Sequence, residues 1–410
     1  MSRNGALGLF EGFGIEAEYM IVAADDLAVL PVGDRLLARA SGRLSGDVER
    51  GEAAWSNELV LHLLEMKTNG PRPSLDGLSD VLAGEVQEAN RLLEPLGGRL
   101  LATGMHPFMD PQREARLWPH EYNEVYRTYD RIFGCRGHGF GNLQSVHVNL
   151  PFADDHEFAR LHAAVRLVLP LLPGLAASTP LVEGRATGTL DNRLVFYRRN
   201  QRIAPSVTGA VIPERVYSKD AYERRIFRFI EEEIAPRDPE GILEPEWVNS
   251  RGAIARFVRN SIEIRLIDTQ ECPAADVAVA AAAVAVVRAL VEERWTSHAE
   301  QAEWHESHLV PVFEDAVRDG GEAVVRDPAY LAAFGVRARA VTLSELWSHL
   351  VETLDVRVDG ARGALATILG RGCLAKRILA ATGGEPSLEA IRDVYGELAD
   401  CLAANRPFEP

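Results

Sequence analysis

Glu16 and Glu18 stand two residues apart in Phe13-Gly14-Ile15-Glu16-Ala17-Glu18-Tyr19-Met20-Ile21-Val22, a run that is otherwise apolar and β-prone. Alternate side chains of a strand share a face, so the two carboxylates project together, about 6 to 7 Å apart. Two anions so placed repel each other unless a cation sits between them. An isolated E-x-E pair is common on surface strands, and the chemistry here rests on two later runs with the same alternation. Gln144-Ser145-Val146-His147-Val148-Asn149-Leu150 groups Ser145, His147 and Asn149 on one face. Ser261-Ile262-Glu263-Ile264-Arg265-Leu266-Ile267-Asp268 groups Glu263 with Arg265. Hard oxygen ligands with one imidazole suit Mg²⁺ or Mn²⁺ better than zinc, and the lone Arg265 suits an anionic phosphate.

These side chains meet only if the three strands lie in one antiparallel sheet, with apolar faces packed on helices and polar faces lining a concavity. Two more carboxylates, Glu58 and Glu65, fall in Trp55–Thr68. Seven apart, they share a face on a helix but point to opposite faces of one regular strand, so both reach one site only through a bulge or bend. His62 between them reads as a packed or surface histidine rather than a ligand. Leu75–Leu96 has helical apolar spacing with Ser74 as its N-cap. Leu100–Phe108 reads as a strand running into a Gly/Pro loop, where His106 either contacts substrate or holds the turn.

The spacing predicts helices over Tyr122–Phe133 and His156–Leu172, with Gly134–Gly141 a flexible approach to the His147 strand. The long polar loop from Ala176 to Arg193 contains Arg185 and Arg193, either of which could clamp a substrate carboxylate in bidentate fashion. Its glycines match neither phosphate-cradling pattern. Arg199–Tyr217 reads as loop and strand, and Lys219–Ile234 as a charged surface helix. Arg251, Arg256 and Arg259 then lead into the Glu263 strand and gather positive charge beside the anion site. Pro273 after Cys272 is a natural first-turn proline for the alanine-rich helix that follows, which discounts a reactive role for that cysteine. Residues 274–410 are mostly helical by period, with Trp295, Trp304 and Trp347 as anchors.

At 410 residues the chain has ample length to bury a core, and its formal charge of −16 argues against a nucleic-acid polymer or an anionic membrane as partner. Local arginines can still hold a nucleotide. The four cysteines, Cys135, Cys272, Cys373 and Cys401, lie far apart without metal-ligand spacing, and Met1–Gly12 reads as a short lead-in rather than a leader. A cytoplasmic protein with free thiols is the expectation. The apolar stretch Val277–Val287 is only about half as long as a bilayer span and reads as a buried helix.

Taken in order, Gly14 to Glu18, Glu58 through Glu65-Met66-Lys67-Thr68, Thr103 to Phe108, Val146-His147-Val148, Ala177 to Pro180 with Gly184 and Arg193, and Ile262 to Thr269 resemble glutamate-cysteine ligase family 2, the carboxylate-amine ligases. The likeness spans roughly residues 10 to 290, and the ordered set is far more specific than any single piece. It implies the α+β catalytic fold of glutamine synthetase and the guanidino kinases. In that fold an antiparallel sheet forms a funnel, here backed by a largely helical C-terminal third in one 410-residue catalytic domain with its sheet-bearing core at about 10–273.

Carried over residue by residue, the resemblance implies that Glu16, Glu18, Glu58, Glu65, His147 and Glu263 hold Mg²⁺ (or Mn²⁺), and it favours a bent strand for Glu58 and Glu65. Arg265, with Arg256, would face the ATP phosphates, while Arg193, His106 and Asn149 would meet the small-molecule substrates. Glu263 and Arg265 would serve the phosphoryl chemistry itself. The family commonly has His-Val-His-Val-Gly where this chain has Ser145-Val146-His147-Val148-Asn149, a departure that bears on the choice of acid and amine. The implied reaction makes an amide, of γ-glutamyl type, from a carboxylate and an amine through an acyl phosphate. A phosphotransferase on the same fold and a nucleotide-binding protein without ligase activity are the alternatives, and a homodimer is compatible with the family.

Overall fold

The computed structural model describes residues 6–410; of the Met1–Gly12 lead-in, residues 1–5 lie outside the described residues. An eight-stranded antiparallel sheet carries the site. Its strands are β1 (Gly14–Ala23), β2 (Asp47–Arg50), β3 (Ala53–Asn57), β4 (Leu63–Thr68), β5 (Gly98–Leu101), β6 (Ser145–Pro151), β7 (Ala253–Arg256) and β8 (Ser261–Asp268). They run in the order β2-β3-β4-β1-β6-β8-β7, and β5 pairs with β1 beyond the end of β6. All three strands expected to share a sheet are therefore neighbours: Glu16 lies opposite His147, and Asn149 opposite Glu263.

Alternation along β1 explains why the sheet has two unlike faces. Ile15, Ala17, Tyr19 and Ile21 are fully buried against three helices, α1 (Leu78–Leu93), α2 (Asp155–Val168) and α3 (Pro273–Val291), within one apolar core. The Tyr19 hydroxyl donates to Asp276 Oδ2 at 2.6 Å and ties the strand to α3. On the other face the strand changes character along its length. Glu16 and Glu18 line an open cavity, whereas Met20 and Val22 lie beneath the C-terminal helices α4 (Leu374–Thr382) and α5 (Leu388–Ala404), which supply Ile378, Ile391 and Leu398 to a second apolar cluster. Two helices, Asp155–Ala176 and Pro273–Val291, are long and apolar enough to cross a bilayer, but 89% of the most apolar stretch of each is buried inside the protein.

Several local expectations change. Trp55–Thr68 is not one bent strand: it divides into β3 and β4, whose antiparallel pairing sets Asn57 opposite Leu64. The reversal between them brings Glu58 and Glu65 to the same cavity, so a loop does what a bulge was expected to do. Strand β8 does contain a bulge. Its register with β6 shifts between Ile264 and Ile267, leaving Arg265 and Leu266 opposite His147. Regular alternation would turn Asp268 to the apolar face; the bulge instead pairs it with Ser145 on the cavity side.

Helix α1 starts after Gly77, which takes a left-handed φ of 70°, and Ser74 bonds Asp76 rather than capping the helix. A 3₁₀ turn, Glu94–Leu96, completes the expected range. Helix Asn123–Phe133 forms as expected, and part of the approach to β6 winds into the single turn His138–Gly141. Arg199–Tyr217 contains no strand, only loop and the 3₁₀ turn Pro205–Val207. Pro273 is the first residue of α3, and all four cysteines are buried free thiols.

Candidate active site

A cavity of about 540 Å³ opens over the polar half of the sheet. Its charged floor comes from adjacent strands: Glu16 and Glu18 from β1, Glu65 and Lys67 from β4, Ser145 and His147 from β6, and Glu263 and Arg265 from β8. Ligand atoms of Glu16, His147 and Glu263 lie within 4.8 Å of one another, as do those of Glu18, Glu65 and His147. The two groups share one imidazole. Five of the six expected ligands are thus brought together, while Glu58 lines the same cavity outside both groups.

The charges are unevenly compensated. Glu263 accepts from Arg256 Nε at 2.8 Å and Arg265 Nη1 at 3.0 Å. Burial pushes its carboxyl up, but these arginines and His147 outweigh burial and hold it down at about 2. Glu65 behaves alike: burial is opposed by Lys67, 3.0 Å away, and by the Ser56 hydroxyl at 2.6 Å, and its carboxyl ends below the usual range. Glu18 and Glu58 pair with no lysine or arginine among the described residues. Burial, aided by neighbouring carboxylates, pushes both up, Glu58 most strongly. For His147, burial and Arg265 favour the neutral ring, yet Glu16, Glu18 and Glu263 together raise its pKa. Arg265 Nε is buried without a hydrogen-bond partner among the described residues.

The three residues expected at the substrate divide. Arg193 does line the cavity, but its Nε is held by Asp268, with both groups buried, and Nη1 and Nη2 lie 3.4 Å from the Arg265 carbonyl. Asp268 also accepts from the Ser178 N–H and hydroxyl and from the Thr179 hydroxyl. Gly104 is required there, since a Cβ would stand 2.8 Å from the Asp268 carboxyl carbon. His106 does not reach the cavity: Nε2 bonds the Leu27 carbonyl at 2.8 Å and Nδ1 accepts from the Phe108 N–H, so it holds the turn instead of meeting substrate. Asn149 is not among the residues lining the cavity and donates to Glu16 Oε1 at 3.1 Å, bracing a carboxylate of the floor. His62 takes the packed of its two expected placements, bonded to the Gly141 carbonyl, and burial lowers its pKa to about 4.

Sequence reasoning missed an aromatic part of the wall. Tyr129 packs edge-on against Trp247 and Phe140, with ring centroids 5.2 and 5.3 Å apart, and Tyr126 and Tyr197 also line the cavity. These residues come from helices and loops whose motifs carry no local signature of a site. Lys67 was legible in principle, because it alternates with Glu65 on one strand.

The model of glutamate-cysteine ligase family 2 (GCS2) matches residues 12–397. The chain belongs to this family. It is 37% identical over 379 residues to an uncharacterized protein of Archaeoglobus fulgidus, covering 92% of this chain and 95% of that one. It is 27% identical over 307 residues to a Nocardioides protein named "Putative glutamate--cysteine ligase 2-1", covering 72% of each chain. Among solved structures it resembles the glutamate–cysteine ligase of Francisella tularensis in complex with AMP, with a TM-score of 0.57 at 14% identity, covering 97% of this chain and 89% of that one. That likeness places the sheet and its helices in the same fold. As a family member the chain is a ligase, and Glu16, Glu18, Glu58, Glu65, His147, Arg193, Glu263 and Arg265 from its ordered motifs line the cavity.

Proposed function

We propose that this ligase joins a carboxylate to an amine at the expense of ATP, through an acyl phosphate, with Mg²⁺ or Mn²⁺ held by Glu16, Glu18, Glu65, His147 and Glu263, and Glu58 beside them. The observation that carries the reading is the pair of ligand groups sharing His147 on the cavity floor. The donor set fits a hard divalent cation: carboxylate oxygens dominate, one imidazole joins them, and Glu18 and Glu58 pair with no lysine or arginine among the described residues. Held by these residues, such an ion would supply positive charge to offset the negative charge that develops on a phosphoryl group during transfer.

The chain's own side chains then have defined tasks. Arg265, which lines the cavity, meets a phosphoryl oxygen, and Arg256 holds Glu263 in register beside it. Lys67 steadies Glu65. The aromatic wall around Tyr129 and Trp247 supplies apolar surface that limits water next to the charged floor. An acid carboxylate oxygen attacks the γ-phosphorus, ADP leaves, and the amine nitrogen attacks the acyl carbon, expelling phosphate and losing a proton. Arg193 contributes a fixed positive charge near the acid, braced by Asp268. The family's name supports glutamate as the acid and cysteine or a similar amine as its partner, and the AMP bound by the Francisella protein supports a nucleotide in this fold.

The test is ADP formation from Mg²⁺-ATP across amino acids taken in pairs, with mass spectrometry of each positive reaction. A condensed product that needs both partners is expected. A stable phosphorylated acceptor with no amide would replace the ligase reading with a phosphotransferase.

A further inference from the structure

Two fully buried aspartates meet behind the cavity wall: Asp268 at the end of β8, and Asp191 just ahead of Arg193. They are not equivalent. Asp268 accepts from Arg193 Nε, from the Ser178 N–H at 2.9 Å, and from the Ser178 and Thr179 hydroxyls at 3.1 and 3.2 Å. Both hydroxyl oxygens accept in turn, from the Gly104 and Arg193 N–H groups, so each hydroxyl hydrogen is free for Asp268. Asp191 has less. Its Oδ1 accepts from the Leu194 N–H at 2.9 Å and caps the short helix Asn192–Tyr197, which carries Arg193 and Tyr197 on the cavity wall. Its Oδ2 is buried with no donor among the described residues, and its side chain is within hydrogen-bond reach of Asp268.

Two ionised carboxylates repel in a dry site, and a single proton between them turns that repulsion into a hydrogen bond. The donor count decides which acid keeps it. Asp268 is satisfied as an anion by four donors, one of them an arginine, whereas the bare oxygen of Asp191 is served only by a hydrogen of its own. Burial first, then Asp268, push the Asp191 carboxyl well above the usual carboxylate range, against the pull of Arg193. Cys373 and Tyr395 also face the pair, both neutral because burial pushes them up. On the helix Glu306–Asp319, whose Val317 carbonyl accepts from the Asp191 N–H, Arg318 and Asp319 pair with each other at the surface. With one proton on Asp191, the cluster of two aspartates and Arg193 is neutral.

We propose that Asp191 is a positioning residue that works as a neutral acid, its Oδ2–H donating to Asp268 while Oδ1 caps the helix, so that Arg193 is set on the wall where the acid substrate binds. Without that proton the two aspartates push apart, and the displacement falls on the first turn of the helix, where Arg193 stands. The role at the substrate rests on the reading of the cavity as a ligase site.

An amide imitates the neutral acid: in Asp191→Asn the carbonyl can accept from Leu194 and the NH₂ can donate to Asp268 at any pH. Asp191→Leu can do neither, and should lose on the order of 10²-fold in kcat/KM for the acid, through KM, with the KM for ATP unmoved. Asp191→Asn should recover it. With ¹³C-labelled aspartate at pH 6, the wild type should show the infrared carbonyl stretch of a protonated acid that disappears in Asp191→Asn; Asp276, pushed up to about 8, gives a second such band that stays. The folded wild type holds a proton that the unfolded chain releases above about pH 3.9, so its stability falls as pH rises. Relative to Asp191→Asn, its unfolding constant should grow about tenfold per pH unit until the pair ionises. The Arg193 Nε–H resonance, identified by its loss in Arg193→Lys, should stay in place in Asp191→Asn and move in Asp191→Leu. An infrared spectrum unchanged by Asp191→Asn, with the same pH dependence of unfolding, overturns the proton. A raised acid KM or a displaced Arg193 resonance in Asp191→Asn overturns the positioning role, as does a folded Asp191→Leu that keeps both at wild type. If no variant, wild type included, forms an amide, the ligase reading falls, and the infrared band and the Arg193 resonance still decide the part played by Asp191.

Discussion

Two buried clusters of charge in this protein are built on opposite plans. At the base of the C-terminal helices, Arg377 pairs with Glu271 through both terminal nitrogens, and donates from Nη1 to the Phe408 carbonyl at 2.7 Å and from Nε to the Gly372 carbonyl at 3.1 Å. Glu271 in turn accepts from the Phe408 N–H. One cation meets one anion, and each guanidinium nitrogen has a partner. On the cavity floor carboxylates outnumber cations, Glu18 and Glu58 are pushed up by burial, and Arg265 Nε has no partner. A buried charge without a partner is expensive, so a fold that keeps several of them together leaves room for charges that arrive from outside. The closed cluster fastens the chain's end to α3 and α4, and the open one is poised for ligands.

This contrast is broken most severely from the closed side. Arg377→Met strands Glu271 in a dry interior, and should lower unfolding free energy by about 3 to 5 kcal/mol in urea titration. Turnover per folded molecule should remain close to wild type at a temperature where the variant is folded. The mirror experiment is Glu263→Gln. It removes a charge from between two arginines, so ADP release should fall by a factor on the order of 10² to 10³, with the thermal midpoint within a few degrees of wild type. If Glu263→Gln unfolds the chain while Arg377→Met spares it, the two clusters have exchanged roles and the comparison is wrong.

How far the sequence foretold this division depended on range. Glu16, Glu18, His147 and Glu263 were legible because period-two alternation is a local rule and each sits on a regular piece of strand. The bulge at Arg265 was not, since a register shift is decided by the partner strand. With it went the place of Asp268, the buried anion that holds Arg193. Glu58 and Glu65 were seen as a pair, but the turn that unites them was mistaken for a bend within one strand. His106 shows the complementary limit. A histidine beside a Gly/Pro loop looks the same in sequence whether its ring faces a substrate or the Leu27 carbonyl, 79 positions away. Nothing local marks Arg377 and Glu271 either, because 106 residues separate them.

A subtler test sharpens the open side alone. Mg²⁺ that binds only the folded chain adds stability by mass action, about 2.7 kcal/mol at a concentration one hundred times the dissociation constant. The melting midpoint of the wild type should therefore rise with Mg²⁺ and return on chelation. Glu18→Gln should blunt that rise, because it removes a ligand that has no lysine or arginine to satisfy it. Arg377→Met, though far less stable, should keep the full increment. An equal Mg²⁺ response in wild type and Glu18→Gln would separate Glu18 from the cation site.

The smallest expected effect concerns a buried group that follows neither plan. His162, in α2, stacks on Phe158 with centroids 5.3 Å apart, and both ring nitrogens are buried without hydrogen-bond partners. Burial first, then the nearby charges of Arg166 and Arg251, lower its pKa to about 3. The folded chain thus keeps a neutral ring, while the unfolded chain takes up a proton below an ordinary pKa of about 6.5. In that window the unfolded state binds more protons, so stability falls as pH falls from about 6.5 toward 3, at roughly 1.4 kcal/mol per pH unit for this ring. His162→Phe removes the linkage and fits an aromatic neighbourhood that also contains Tyr217 and Tyr222. Between pH 7 and pH 5 its loss of unfolding free energy should be smaller than that of the wild type by about 2 kcal/mol. His62 and His106, each lowered to about 4 by burial, would supply the slope that remains. A pH dependence identical to that of the wild type would mean that the ring accepts its proton in place, and that this part of the core is wetter than its packing implies.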